Sequence, residues 1–263
     1  MSAPHWPNRK EGIFFKDDSG PRIASAQIVS KPVRRSDRYE DSFIFDRKPF
    51  TWPGNTTLAI WVVPNVEVWN YDSPVGVPVS PNPGNIVPDV INYAWREYGI
   101  RVGLWRFADV FDAAGIKATV ALNSLVCEHF PRAVEEMKKR GWELMGHGTT
   151  NSESLAGMNP EREREVIQSV LKTIEQATGR RPRGWLGAGL AETYSTLDIL
   201  ADEGVLYCGD WNSDDQPYPM KGQALLHSVL HGDQRHPALH QEGLHRRAIL
   251  QIADGSIRGA LRR

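Results

Sequence analysis

The sequence lacks most features that would declare a compartment or a polymeric partner. Two cysteines, Cys127 and Cys208, occur in 263 residues. That is too few for a disulfide framework, and their spacing matches no metal site. Both read as small buried apolar residues, and a reducing cytoplasmic setting is expected. Net charge is nearly absent, with 31 Lys and Arg against 32 Asp and Glu, a formal balance of −1. No nucleic acid, membrane surface or polyanion is therefore expected as a partner. No run approaches the roughly 18 consecutive apolar residues of a membrane span, and the first thirty residues are polar, unlike an export signal.

The length suits one large domain or two small ones with a sizeable core. Residues 1–50 mix Pro, Asp, Arg and Lys with little periodicity and read as an extension, in which Arg34-Arg35-Ser36-Asp37-Arg38-Tyr39 is expected to be a solvated run. The unbroken apolar run Thr57 to Val63 predicts a strand covered on both faces. It ends at Pro64-Asn65-Val66-Glu67, where the spacing of two sends the Asn65 and Glu67 side chains to one face if the backbone stays extended. Tyr71 to Pro88, rich in Pro, Gly, Ser and Val, predicts a long lid or binding loop. Helical spacing of Leu104, Phe107, Ala108, Val110 and Phe111 predicts a helix closed by Gly115, followed by a strand over Lys117 to Leu122.

Pro131 opens a helix whose inner side carries Ala133, Val134 and Met137, and this helix leads to the organising stretch Gly141-Trp142-Glu143-Leu144-Met145-Gly146-His147-Gly148-Thr149-Thr150-Asn151. A strand over Trp142 to Met145 that runs into Gly-His-Gly places His147 at its carboxyl end. Alternating strand and helix folds put their chemistry there. Asn159-Pro160 starts a helix with Val166, Val170, Ile174 and Ala177 on one stripe and Gly179 at its end. A further helix over about 193–203 and a strand over Val205 to Cys208 complete an α/β pattern that predicts a parallel sheet or barrel. After Met220 no apolar period survives. Residues 221–263 are rich in His and Arg (His227, His231, His236, His240, His245), but the spacing fits no metal site and predicts a solvated tail.

The order of these pieces, from Thr57 to Met220, resembles the polysaccharide deacetylase superfamily, which includes nodulation-type chitooligosaccharide deacetylases, peptidoglycan deacetylases, cyclic imidases and metal-independent allantoinases. Asn65 and Glu67 stand where the family has an acidic pair. Gly115-Ile116-Lys117-Ala118-Thr119-Val120 looks like its Gly-x-x-Ala-Thr-Phe strand, and Glu143-Leu144-Met145-Gly146-His147 looks like its second motif. Asn151 occupies the place of the second His of that motif. Arg183-Gly184-Trp185-Leu186-Gly187-Ala188-Gly189 is the nearest match to the third motif, and Asp210 with Asp214-Asp215-Gln216-Pro217-Tyr218 resembles the allantoinase branch. The resemblance implies a distorted barrel of about seven strand and helix units over 51–220. It also implies a hydrolase of non-peptide carbon–nitrogen bonds acting on an acetamido sugar or a small cyclic ureide or imide. The alternative is a catalytically inactive carbohydrate- or metabolite-binding member. Homo-oligomerisation stays open.

Members of the family that use a metal hold it with an Asp and two His. With Asn151 in the second His position, Glu67 and His147 would be the only good ligands, and two rarely hold zinc well. The expectation is therefore a site that requires no cofactor. Glu67 and His147 serve as base and acid around a water, Asn65 and Asn151 orient the substrate, and Asp210 orients either partner. Arg183 binds the substrate carbonyl or an acidic group, unless it pairs with Asp210 in a buried bridge. Trp185 and Tyr218 stack on a ring, with core packing as the structural alternative for Trp185. The family's barrel-closing strands are missing from residues 221–263. Gly232 to Pro237 can be encoded so that reading one base later gives Glu-Ile-Asn-Asp-Ile-Pro, as in allantoinase-like relatives. A frame-shifted end and an incomplete barrel are expected on that ground, and resequencing the locus tests it.

Overall fold

The computed structural model describes residues 34–48, 59–74, 76, 78–214, 216–221 and 227–228, the last two by backbone alone. A compact unit begins at Asp37, and residues 34–36 fall in a separate amino-terminal unit. Its centre is a seven-stranded sheet in the order β1-β2-β3-β4-β5-β7-β6. The strands are β1 (Asn65–Val66), β2 (Thr119–Leu122), β3 (Glu143–Gly146), β4 (Gly184–Trp185), β5 (Tyr207–Cys208), β6 (Tyr218–Pro219) and β7 (His227–Ser228). All neighbours pair in parallel except β6 with β7. This is the α/β architecture expected from the alternating pattern.

The helices follow from the same sequence signals. They are α1 (Val90–Tyr98), α2 (Leu104–Ala114), α3 (Val126–His129), α4 (Pro131–Lys139), α5 (Pro160–Thr178) and α6 (Thr196–Asp202), with a π-helical turn at Gly99–Gly103 joining α1 to α2. At the start of α5 the Asn159 side chain accepts from Arg162 N at 2.8 Å, and Pro160 takes the first helical position. Gly179, at φ 74°, ends it in the left-handed conformation that glycine adopts without strain. Val166, Val170 and Ile174 are buried beneath α5, as expected, whereas Ala177 is exposed. In α2 the periodic stripe is only half used. Leu104 and Ala108 face the core, while Phe107 and Val110 are more than half exposed.

Successive strand residues alternate between two apolar layers. Val66, Val120, Leu122, Leu144 and Trp185 belong to the large core under the helices. Ala121, Met145 and Leu186 form a smaller cluster on the opposite, inner face with Trp61, Val63 and Tyr207. This alternation decides which side chains can meet inside the sheet's curve. Tyr207 lies so close to β4 that a Cβ at Gly184 would sit 2.1 Å from its ring. Gly184→Ala should therefore destabilise the fold by about 1–3 kcal/mol. A lower urea midpoint with unchanged slope is the expected result, and an unaltered midpoint would show that the ring moves aside at no cost.

Several expectations are corrected. The first strand is shorter and later than the run Thr57 to Val63. Thr57 and Leu58 lie outside the described residues, Ile60 is 63% exposed, and the ladder proper is Asn65–Val66. Hydrogen bonds from Thr119 N to Val62 O and from Ala121 N to Pro64 O nonetheless keep this segment alongside β2. Nor is the run ending at Tyr39 wholly solvated. Arg38 clasps Asp198 with both terminal nitrogens at 2.6 and 2.7 Å, and Tyr39 meets the rings of Trp211 and Tyr218. Beyond Met220, β7 is a strand between β5 and β6 where none was expected. The remaining tail, including His231, His236, His240 and His245, lies outside the described residues.

The loop from Tyr71 to Pro88 carries no helix or strand among its described residues, yet it is anchored. Asn92 accepts from Val79 N and Ser80 N at 2.8 Å each and donates to Ser80 O. No helix among the described residues is long and apolar enough to cross a membrane.

Candidate active site

Sheet register assembles the site. Asn65 is level with Ala121, and Ala121 with Met145. Two residues further along each chain, Glu67, Asn123 and His147 emerge in a row on the inner face, at the carboxyl ends of β1, β2 and β3. Glu67 Oε1 lies 3.2 Å from His147 Nε2 and accepts from Asn65 Nδ2 at 3.2 Å. His147 is 2% exposed, and the Glu67 side chain 17%. Burial raises the Glu67 carboxyl, but hydrogen bonds from His147 and Asn65 and the charges of His147 and Arg96 together hold it below its ordinary value.

The other ring nitrogen of His147 faces the carbonyl of Leu186. A carbonyl oxygen only accepts, so Nδ1 carries a proton and Nε2 is the atom turned to Glu67. The peptide that follows Leu186 is itself held, because Gly187 N donates to Asp210 Oδ1 at 2.7 Å. One peptide unit thus joins His147 on one side to Asp210 on the other.

Asn123, fully buried and absent from the sequence expectations, fastens three segments. Its Oδ1 accepts from Val68 N at 2.9 Å, and its Nδ2 donates to His147 O and, at 2.9 Å, to Asn151 Oδ1. Asn151 N in turn donates to Val68 O at 3.0 Å. Asn151 is therefore part of the scaffold around His147, with its side-chain oxygen already engaged. The only signal available was that Asn123 follows a strand in the phase of Ala121, the phase that faces inward.

The remaining candidates divide. Arg183 is exposed and directly precedes β4, so it lies at the amino ends of the strands. There it borders an opening with Lys138, Glu143, Arg180 and Arg181. It therefore sits at the opposite strand ends from Glu67 and His147, where its charge acts on Tyr207, and the expected substrate role and the buried bridge to Asp210 both fail on this geometry. Trp185 is fully buried against Gly146 and is a core residue. The Tyr218 ring packs on Tyr39 at 5.3 Å, and its hydroxyl is sealed from solvent. Burial leaves Trp185 no face for a substrate ring, and Tyr218 is instead engaged edge-on by Tyr39.

Asp210 belongs to a second cluster. Among the described residues, Glu192, Cys208 and Asp210 are the group of three metal-type ligands whose donor atoms lie within 4.8 Å of one another. Burial pushes both carboxyls up; the Glu192 charge raises Asp210 further, whereas hydrogen bonds from Trp211 and Asp210 pull Glu192 partway back down. Trp211 Nε1 donates to Glu192 at 3.0 Å and 3.1 Å. Burial also raises the thiols, Cys127 to about 11 and Cys208 well above its usual value, which disfavours the reactive thiolate in both.

The donors near His147 do not fit a catalytic zinc. Glu67 and His147 engage each other, and the Asn151 oxygen is taken by Asn123, which leaves two good ligands where such sites supply three.

Residues 97–208 match the model of the polysaccharide deacetylase family. A peptidoglycan deacetylase-like protein of Gibberella zeae is 27% identical over 118 residues, covering 44% of this chain and 35% of its own length. A Schizosaccharomyces pombe protein whose name carries the same family is 26% identical over 184 residues, covering 64% of this chain and 57% of its own. The chain thus spans about a third to just over half of these curated relatives. Among solved structures, Puue allantoinase is 23% identical with a TM-score of 0.62, over 75% of this chain and 70% of that one. A "probable Polysaccharide deacetylase" from Pseudomonas aeruginosa PAO1 is 23% identical with a TM-score of 0.61, over 74% and 69%. The resemblance read from the motifs holds, and the fold is that of the deacetylase and allantoinase barrels.

Proposed function

We propose that this chain hydrolyses a non-peptide carbon–nitrogen bond, in an acetamido sugar or a cyclic ureide or imide, with Glu67 and His147 as its acid–base pair. The observation that carries the reading is the 3.2 Å approach of a carboxylate and an imidazole from different strands, at the strand ends where α/β folds place chemistry. A water lying between Glu67 and the substrate gives its proton to the carboxylate, and its oxygen adds to the carbonyl carbon. The carbon–nitrogen bond then breaks as the Nε2 proton of His147 passes to the departing nitrogen. Glu67 holds the proton that restores His147, so one water is consumed per turnover. Asn65 orients Glu67 through their hydrogen bond, and Asp210 positions His147 through the Leu186–Gly187 peptide.

The test is turnover of chitooligosaccharides, allantoin and cyclic imides with and without a strong chelator. Release of amine or ring-opened product that survives chelation is expected. Activity abolished by chelation and restored by zinc would overturn the metal-free mechanism. The engagement of Asn151 with Asn123, where metal-dependent relatives place a His, favours one second reading: a binding protein that retains the ligand without cleaving it. Binding of these ligands with no turnover would establish that reading.

Asp210 makes a separate prediction. Asp210→Ala removes the acceptor for Gly187 N and should lower kcat about tenfold or more with little change in KM, whereas Asp210→Asn, which keeps an oxygen there, should restore most of it. Stability gives a second readout. A carboxyl whose folded pKa is raised stabilises the fold at low pH, and that contribution is lost as pH rises through its folded value. The wild-type chain should therefore gain stability as pH falls from neutral toward the ordinary carboxylate range, and Asp210→Asn should flatten that rise. Equal melting profiles for the two proteins would remove the raised Asp210 carboxyl from the account.

A further inference from the structure

Asp210 spends only one oxygen, Oδ1, on the Leu186–Gly187 peptide. The other, Oδ2, is sealed from solvent, and among the described residues no N–H or hydroxyl reaches it. A buried carboxylate oxygen without a donor is costly, and it is met either by a proton bridging to a second acid or by a cation. The surroundings hold the ligands for a cation. Cys208, 1% exposed, and Glu192 each bring a donor atom within 4.8 Å of the other and of the Asp210 carboxylate. Cys208 lies in β5 with Asp210 two residues on, and Glu192 follows the turn Ala188–Leu190. Cys208 packs in the large core under the helices, not with the inner cluster of Ala121, Met145 and Leu186.

The spacing suits zinc. Bonds of ~2.3 Å to sulfur and ~2.0 Å to oxygen at tetrahedral angles set those two ligands roughly 3.5 Å apart. Cys208 Sγ stands 3.6 Å from Glu192 Oε1. Both carboxylates are also oriented from outside, Glu192 by Trp211 Nε1 at 3.0 and 3.1 Å and Asp210 by Gly187 N at 2.7 Å, as ligating carboxylates are. A thiol among the donors selects a zinc-like ion over magnesium or calcium. Burial keeps all three groups from ionising, and a divalent ion supplies the charge that lets them release their protons.

We infer that Glu192, Cys208 and Asp210 form a structural site for a zinc-type divalent ion, separate from the acid–base pair, with Sγ, a Glu192 oxygen and Asp210 Oδ2 as its protein ligands. The ion ties the end of β5 to the segment after β4. Because Oδ1 stays with Gly187, the support of His147 is the same whether the site is filled or empty, and turnover does not require the ion.

The experiment is titration of the full, metal-stripped chain with cobalt(II), read by the sulfur-to-cobalt charge-transfer band in the near ultraviolet and by the melting temperature. A band that saturates and a melting temperature that rises with cobalt are expected. Cys208→Ser should abolish the band, and Cys127→Ser should keep it. Trp211→Phe, which removes the N–H held by Glu192, should weaken binding about 10–100-fold with the band intact, and Glu192→Gln should weaken it by at least as much. These last two variants leave Cys208 in the core, so they decide the matter if the serine variant does not fold. Cobalt bound without the band, a band that survives Cys208→Ser, or an affinity indifferent to Glu192→Gln would overturn the site. None of these readouts uses turnover, so the hydrolase reading and this site stand or fall separately.

Discussion

Glu67→Gln should lower kcat/KM by about 10²–10⁴-fold while the protein stays folded, the range expected when a general base is removed. Glutamine is nearly the same shape, and its oxygen can still accept from Asn65, so the local geometry survives while the capacity to take a proton from water is lost. The wild-type pH profile sharpens the test. Because the folded pKa is held below the ordinary 4.5, the acid limb of kcat/KM should fall below that value. The same sign governs stability. A depressed carboxyl stabilises the fold above its unfolded pKa, and that contribution is lost as pH falls through the folded value. Acid melting curves of wild type should steepen there, and those of Glu67→Gln should not. Full activity in the folded variant would remove Glu67 from the chemistry.

Asn123→Ala should cost about 3 kcal/mol of stability and take most of the activity with it. The side chain is fully buried, so its loss leaves Val68 N–H and the His147 carbonyl without this partner, each worth about 1–3 kcal/mol when stranded. Asn123→Asp separates hydrogen bonding from bulk. It keeps the acceptor for Val68 N but turns an oxygen toward the His147 carbonyl and Asn151 Oδ1, so it should melt no later than the alanine variant. Urea titration with a parallel rate measurement reads both effects. An Asp variant as active and stable as wild type would show that Asn123 merely fills space.

Much of this was legible in the sequence because it depends on local pattern. The phase of two at Asn65 and Glu67 and the Gly-His-Gly break after β3 depend on strand periodicity and turn chemistry, and the structure keeps both. The helix stops at Gly115 and Gly179 are equally local. Arg183 was misplaced because a motif gives residue order without the end of the strand: only the register of Trp185 with Gly146 shows that Arg183 lies below the sheet. Asn123 was missed for a related reason. An asparagine after a strand is an ordinary turn residue until the neighbours on both sides are known. Phe107 and Val110 carried the helix period correctly, yet the period alone could not show that both stay more than half exposed.

Among the described residues, β1 pairs with β2 and has no strand on its other side, whereas β3 is flanked by both β2 and β4. The two halves of the proposed acid–base pair therefore rest on supports of unequal strength, one at the margin of the sheet and one at its interior. On warming, amides near Val66 should exchange with solvent before those near Met145, and function should fade at temperatures where the bulk of the fold is still intact.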